Sequence, residues 1–245
     1  MPEGPSIVIL KEAADKFIGR TISDAEGSAK TIDVTELAGQ RITDIKTWGK
    51  HFLICLPKFT IRIHLLMFGS YTIDTRKPAK PRLRLFFSNG EEISFYACSV
   101  RRIDGPLDEV YDWTVDVMNR KFNTRKANAS LKAHPRMFAC DAILDQTIFA
   151  GAGNIFKNEV LYRIRVHPLS RVGALPATKR RQLVTEVVRY GRDFLRWKKA
   201  FVLRKHWEAH TKRTCPRDGN KLTKAYMGKT KRRTFYCEVC QKLYK

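Results

Sequence analysis

The chain has 245 residues, 43% of them apolar and 11% aromatic, which is enough for one large domain or two small ones around a real core. Lys and Arg number 47 against 24 Asp and Glu, and the resulting net charge of +23 points to a polyanionic partner. No run approaches the length of a transmembrane helix and no basic-then-apolar leader opens the chain, so neither a membrane protein nor a secreted disulfide scaffold is expected.

The first six residues, MPEGPS, place two prolines, a glycine and a carboxylate where chains ordinarily fray. In the following SIVILKEAADKFIG, the steps between Ile7, Leu10, Ala14, Phe17 and Ile18 predict an amphipathic helix that stops at Gly19. From about residue 20 to 103 the texture changes to short β-rich runs: RITDIKTWG, HFLICL, TIRIHLL, SYTID, PRLRLFF and EEISFYA. Turn residues such as SNG separate them, which predicts a sandwich or barrel. Residues 104–129 lose the alternation and read as a linker with a short helix. Helical periodicity then returns in PRMFACDAILDQ, NIFKNEVLYRIR and PATKRRQLVTEVVRYGRDFLRWKK, the last with Leu183, Val184, Val187, Val188, Phe194 and Leu195 as its buried stripe. The final segment from Arg196 carries 16 basic and 3 acidic residues, yet it also holds Trp197, Phe201, Trp207, Tyr226, Phe235, Tyr236 and Tyr244. Disordered basic tails are poor in aromatics, so this one is expected to fold.

Three cysteines, Cys55, Cys98 and Cys140, sit singly in apolar surroundings and read as buried thiols. The other three have ligand spacing. Cys237 and Cys240 form a Cys-x-x-Cys knuckle, half of a tetrahedral zinc site, and Cys215 lies where the second knuckle should be. Its partner position holds Asp218, with His210 as a rival fourth ligand. A segment this short has little core and needs a staple. Between the knuckles, KTKRRTFYC puts several cations on a predicted hairpin, suited to phosphates or a groove. FAGAGNIFKNEVL places two glycines and Asn154 at a helix start, where bare amides favour an anion. Lys50 follows Gly49 at the mouth of a strand.

Taken together and in this order, MPEGP, GKHFLI, HLLMFGS, DQTIFAGAGNIFKNEVLYRIRVHP and RRTFYCEVCQK resemble the formamidopyrimidine-DNA glycosylase/endonuclease VIII family over nearly the whole chain. PEGP is most similar to the endonuclease VIII branch. The resemblance implies an α+β multidomain fold: an N-terminal two-layer β-sandwich catalytic domain (1–115), a linker (116–129), a helical helix–two-turn–helix DNA-binding domain (130–205) and a C-terminal β-hairpin zinc finger (206–245). It implies a bifunctional DNA glycosylase and abasic-site lyase of base-excision repair. The partner would be damaged double-stranded DNA, the metal a structural zinc ion and the protein a monomer, cytoplasmic and nucleoid-associated in a bacterium.

Removal of Met1 would leave Pro2 a secondary amine able to attack C1′ and form an iminium. Glu3 would move protons at the sugar or departing base, and Lys50 would hold the lesion's phosphate or assist ring opening. A flipped base leaves a void. The resemblance assigns Leu66, Met67 and Phe68 to filling it, and Arg101 or Arg102 to the orphan base. Asn154 and Arg232 match the family's phosphate-gripping pair, and Cys215, Asp218, Cys237 and Cys240 its metal ligands. Ser6 departs from the Glu usual in the family. The stretch from Phe194 to Cys215 is short for a lesion-capping loop, which favours oxidised pyrimidines. A formamidopyrimidine or 8-oxoguanine enzyme, and a non-catalytic damaged-DNA or RNA binder, are the alternatives.

Overall fold

The computed structural model describes residues 2–245, which divide into two compact units, residues 2–112 and 113–245. The first unit opens with α1 (Gly4–Ala14), whose proline at the first turn is pre-set for helix. Ile7, Leu10 and Ala14 are its buried stripe, and it packs on strands β2 (Asp44–Trp48) and β3 (His51–Cys55). The remaining strands are β1 (Ile22–Glu26), β4 (Phe59–His64), β5 (Ser70–Ile73), β6 (Leu83–Phe87), β7 (Glu92–Tyr96) and β8 (Ser99–Asp104). Among the described residues they form two antiparallel four-stranded sheets, ordered β1-β6-β7-β5 and β2-β3-β4-β8.

Alternation along the strands sends one face of each sheet inward. Phe52, Ile54, Ile61 and Ile63 from one sheet and Leu83, Leu85, Ile93 and Phe95 from the other share a core with the α1 stripe. This is the expected two-layer sandwich. β1 and β8 are strands that the sequence pattern did not announce. After β8 comes one helical turn, α2 (Leu107–Val110), and the unit ends at Asp112, whose carbonyl accepts from Trp48 Nε1 at 2.9 Å.

The second unit is helical around a central, almost wholly buried helix. That helix, α5 (Asn154–Arg163), is surrounded by α4 (Ala139–Leu144), the long α6 (Ala177–Lys199) and the hairpin of β9 (Thr223–Met227) and β10 (Arg232–Tyr236). α3 (Thr124–Ala133) packs on α6 with Ala127 and Leu131, and starts where Asn123 Oδ1 accepts from the Lys126 amide at 3.0 Å. Most apolar residues of α4, α5 and α6 share one core, whereas Tyr162, Ala209, Cys215, Leu222 and Cys237 form a second, small cluster under the hairpin. No helix among the described residues is long and apolar enough to cross a membrane.

Candidate functional site

In the first unit the chain's start is built into the fold. Glu3 is the residue just ahead of α1 and is fully buried, with its carbonyl accepting from the Ser6 amide at 2.8 Å. A carboxylate at a helix N-terminus is favoured by the helix dipole, which offsets part of its burial. Pro2, half-buried, directly precedes it. Met1 lies outside the described residues, and with it the question of its removal. Lys50 sits with Gly49, at φ +54, in the two-residue turn joining β2 to β3, the strands on which α1 packs. Burial first, and then neighbouring cations that include Lys50, lower the pKa of both His51 and His64.

The segment after β4 makes a short protruding turn. Gly69 N donates to Leu65 O at 2.8 Å, and a Cβ on Gly69 would lie 2.2 Å from that oxygen, so glycine is required there. Leu65 is buried, but Leu66, Met67 and Phe68 are 50, 46 and 85% exposed. Core packing would have hidden them; the structure instead presents three large apolar side chains to solvent. Leu66 adopts φ +52, a strained conformation for a branched residue.

The two candidate arginines of β8 separate clearly. Arg102 is committed within the protein: Nη1 donates to Glu36 Oε2 at 2.8 Å, Nε donates to Asp104 Oδ1 at 2.7 Å, and the guanidinium lies 3.9 Å from the Phe59 ring centre. Arg101 is exposed and pairs across the ladder with Arg62 of β4. Arg62, His64 and His51 belong to this outer sheet face and were missed from the sequence, although polar residues alternating with Ile61 and Ile63 mark it in TIRIH. His51 Nδ1 lies 3.0 Å from Tyr111 Oη, and burial, then Arg62, His64 and Lys50, push its pKa down to about 3.

In the second unit, Gly151 at φ +97 and Gly153 lead into α5, and Gln146 Oε1 accepts from Gly151 N at 3.1 Å. Asn154 is the first residue of α5. Its Nδ2 donates to Arg233 O at 2.9 Å, which ties the helix start to the strand that begins with Arg232. Two residues that the sequence pattern left unnoticed complete the junction. The buried Lys157 gives Nζ to Thr234 Oγ1 at 2.7 Å and to Arg233 O at 3.3 Å, and Asn158 Oδ1 accepts from Phe235 N at 3.2 Å. Asn154 and Arg232, far apart in sequence, are therefore neighbours through one strand.

The ligand atoms of Cys215, Asp218, Cys237 and Cys240 all lie within 4.8 Å of one another, so these four residues can hold a metal ion. Cys215 Sγ and Cys240 Sγ are 3.8 Å apart and Cys237 Sγ is 3.2 Å from Asp218 Oδ2. Two thiolates on one tetrahedral zinc stand about 3.8 Å apart, and a thiolate and a carboxylate oxygen about 3.6 Å, so the donor set fits that ion. His210 is excluded from the group: it is buried against Asn158, with Nδ1 2.8 Å from Asn158 Nδ2, and its amide donates to Glu159 Oε1 at 2.7 Å. Around the cluster, Tyr162 Oη lies 3.2 Å from Cys215 Sγ and Arg217 Nη1 donates to Cys240 Sγ at 3.4 Å.

The family profile of the formamidopyrimidine-DNA glycosylase N-terminal domain matches residues 1–102, and that of the formamidopyrimidine-DNA glycosylase H2TH domain matches residues 114–199. The chain is 38% identical to endonuclease 8-like 2 of Mus musculus over 94% of its own length and 72% of the relative's. With endonuclease 8-like 2 of Homo sapiens the identity is 37%, covering 98% and 75%. A solved structure of Lactococcus lactis formamidopyrimidine DNA glycosylase, non-covalently bound to DNA containing an AP site, shares the fold at a TM-score of 0.85 and 20% identity over 98% of this chain and 99% of that one. The mammalian sources of these relatives overturn the expectation of a bacterial, nucleoid-associated cytoplasmic protein. Positive charge serves binding to a polyanion in any compartment, so it carries no information about the source.

Proposed function

The chain belongs to the formamidopyrimidine-DNA glycosylase/endonuclease VIII family, and we propose that it is a base-excision DNA glycosylase and abasic-site lyase that works through the amine of Pro2. The observation that carries this reading is the junction of Pro2 with a fully buried Glu3 at the head of α1. A buried carboxylate next to an amine is suited to proton transfer, and the adjacent residue is the one side chain type that becomes a secondary amine when the methionine before it is removed.

The chemistry follows from these groups. The Pro2 nitrogen donates its lone pair to C1′ of the damaged nucleotide, and the bond to the base breaks with its electron pair leaving on the base. The proton lost by the new Pro2 ammonium neutralises the departing base; Glu3 then donates a proton to the ring oxygen as the C1′–O4′ bond breaks, and the Pro2 lone pair closes an iminium to C1′. The iminium acidifies C2′, so loss of that proton expels the 3′ phosphate, and a second elimination expels the 5′ phosphate. Lys50 supports the phosphate or the opened sugar. Leu66, Met67 and Phe68 fill the void left by the extruded base, and Arg101 faces the orphan base in preference to Arg102, whose guanidinium already has two carboxylate partners. Asn154 and Arg232 grip phosphates. Cys215, Asp218, Cys237 and Cys240 hold a structural zinc ion, which cross-links the two ends of a segment with little core of its own.

Oxidised pyrimidines are the favoured lesions, because the chain between α6 and Cys215 is short and partly taken up by a turn at Leu203–His206. The test is reductive trapping. Abasic-site DNA with borohydride is expected to yield a covalent adduct whose mass locates to the N-terminal peptide. A Pro2→Gly variant and a form retaining Met1, verified by intact mass, are expected to yield at most about a hundredth as much. Equal yields from all three would overturn the assignment of Pro2.

A further inference from the structure

The β9–β10 hairpin carries Arg232 on the first residue beyond its turn. Gly228, Lys229, Thr230 and Lys231 make that turn, between the paired residues Met227 and Arg232. Surface turns of this kind are ordinarily the most mobile part of a hairpin. This one is also rich in repelling charge, since Lys229, Lys231, Arg232 and Arg233 are all exposed cations.

The turn nevertheless is docked. Lys229 N donates to both carboxylate oxygens of Asp141 in α4, at 2.9 and 3.0 Å. Gly228, at φ +77, is pressed so closely on that carboxylate that a Cβ would stand 2.3 Å from Asp141 Oδ1 and 3.0 Å from Cys140 Sγ. Both the conformation and the contact therefore require glycine. On the other side of Arg232, Asn154 and Lys157 hold Arg233 O, and Lys157 holds Thr234 Oγ1. The Arg232 backbone is thus fixed between two anchors, one on α5 and one on α4. The α5 anchor sets the strand; Asp141 sets the tip.

We propose that Asp141 is a positioning residue that docks the hairpin tip on α4 and so presents Arg232 to a DNA phosphate in a fixed direction. A carboxylate accepting from a backbone amide makes a charge-assisted hydrogen bond, which is stronger than a neutral one. Holding the tip in place before DNA arrives removes an ordering cost that binding would otherwise bear. Asp141 touches no reacting atom in this role and acts through Arg232. The inference rests on the phosphate-gripping role proposed for Arg232.

A double-mutant cycle on the full-length, metal-loaded protein separates this role from a general contribution to folding. The probe is a duplex bearing a stable abasic-site analogue, with the dissociation constant measured by fluorescence anisotropy at one fixed salt concentration. Asp141→Ala is expected to weaken binding about tenfold, to leave the single-turnover cleavage rate at saturating protein within about twofold, and to speed exchange of the Lys229 amide. In an Arg232→Ala background the same change is expected to cost less than about twofold. An equal loss in both backgrounds, or full affinity in Asp141→Ala, would overturn the proposal. Should Asp141→Ala fail to fold, Asp141→Asn keeps the shape and loses the charge, and the same cycle is read from it. Failure of the underlying reading looks different: Arg232→Ala alone would then bind the duplex as tightly as the unaltered protein, and the role of Asp141 would fall with it.

Discussion

His51 shows how one residue can tie strands together and carry a pH dependence. It pairs with Trp48 on β2 and His64 on β4, lies edge-on to the His64 ring, and meets Tyr111 Oη at 3.0 Å. The groups that face it are the Trp48 and Tyr111 rings together with Arg62, His64 and Lys50, and burial leads the forces that push its pKa from 6.5 to about 3. An unfolded chain takes up the proton near pH 6.5, whereas the folded chain does so only near pH 3. The neutral ring's contribution is therefore complete above pH 6.5 and is lost progressively as pH falls towards 3. Urea unfolding between pH 7.5 and 4 is expected to show that loss, approaching at most about 1.4 kcal/mol per pH unit from this group. A His51→Gln variant is expected to show a flatter dependence; the same slope in both proteins would exclude His51 as its source. The residue was hidden in the sequence because its significance comes from Tyr111, 60 positions away. By contrast the roles proposed for Pro2, Glu3 and Lys50 rest on short contiguous strings, which a sequence displays without any fold.

At the scale of elements, the hairpin segment depends most on something besides packing. Its core is the small cluster of Tyr162, Ala209, Cys215, Leu222 and Cys237, and two of those five are proposed metal ligands. Removing the ion with a chelator is expected to unfold the hairpin while α3 to α6 keep their own core, so far-UV helicity should persist as amide exchange in β9 and β10 speeds up. Asp218→Ala is expected to lower zinc affinity at least about a hundredfold in competition with a chromogenic chelator, and His210→Ala to leave the zinc content at one per chain. Equal losses would restore His210 as a ligand. The sequence left those two open because both lie within reach along the chain; the structure separates them by placing the Asp218 carboxylate among the three thiols and the His210 ring against Asn158. The elements themselves were legible where the pattern was strong, as in α1, α6 and the inner strands. β1, ISDAE, buries only Ile22, and β8 carries two adjacent arginines, so neither shows clean alternation. α3 runs past the linker in which the sequence suggested only a short helix, for the same reason: TRKANASLKA buries just Ala127 and Leu131, and its helix is sustained by packing on α6.

For the molecule as a whole, the excess of charge is informative only after the cations already matched inside the protein are set aside. Lys16 is paired with Asp74 and Glu91, Arg84 with Glu26 and Glu92, and Arg102 with Glu36 and Asp104. A cation that keeps its carboxylate when DNA binds neutralises no phosphate and releases no counterion. Arg101 and Arg232 are exposed, and the proposed function aims them at the nucleic acid. Affinity for duplex DNA is therefore expected to fall steeply with salt, with a slope of log K against log salt steeper than about −5. Substituting Arg232 by Ala should reduce that slope by about 0.9, the share of one phosphate contact. Arg101→Ala should weaken binding through the orphan base and change the slope less, whereas Arg102→Ala should leave both affinity and slope as they were, because its partners are internal. Anisotropy titrations at five salt concentrations for the four proteins check all three statements together. If Arg102→Ala flattened the slope as Arg232→Ala does, the carboxylates of Glu36 and Asp104 must release it on binding, and Arg102 rather than Arg101 would be the arginine of β8 that meets DNA.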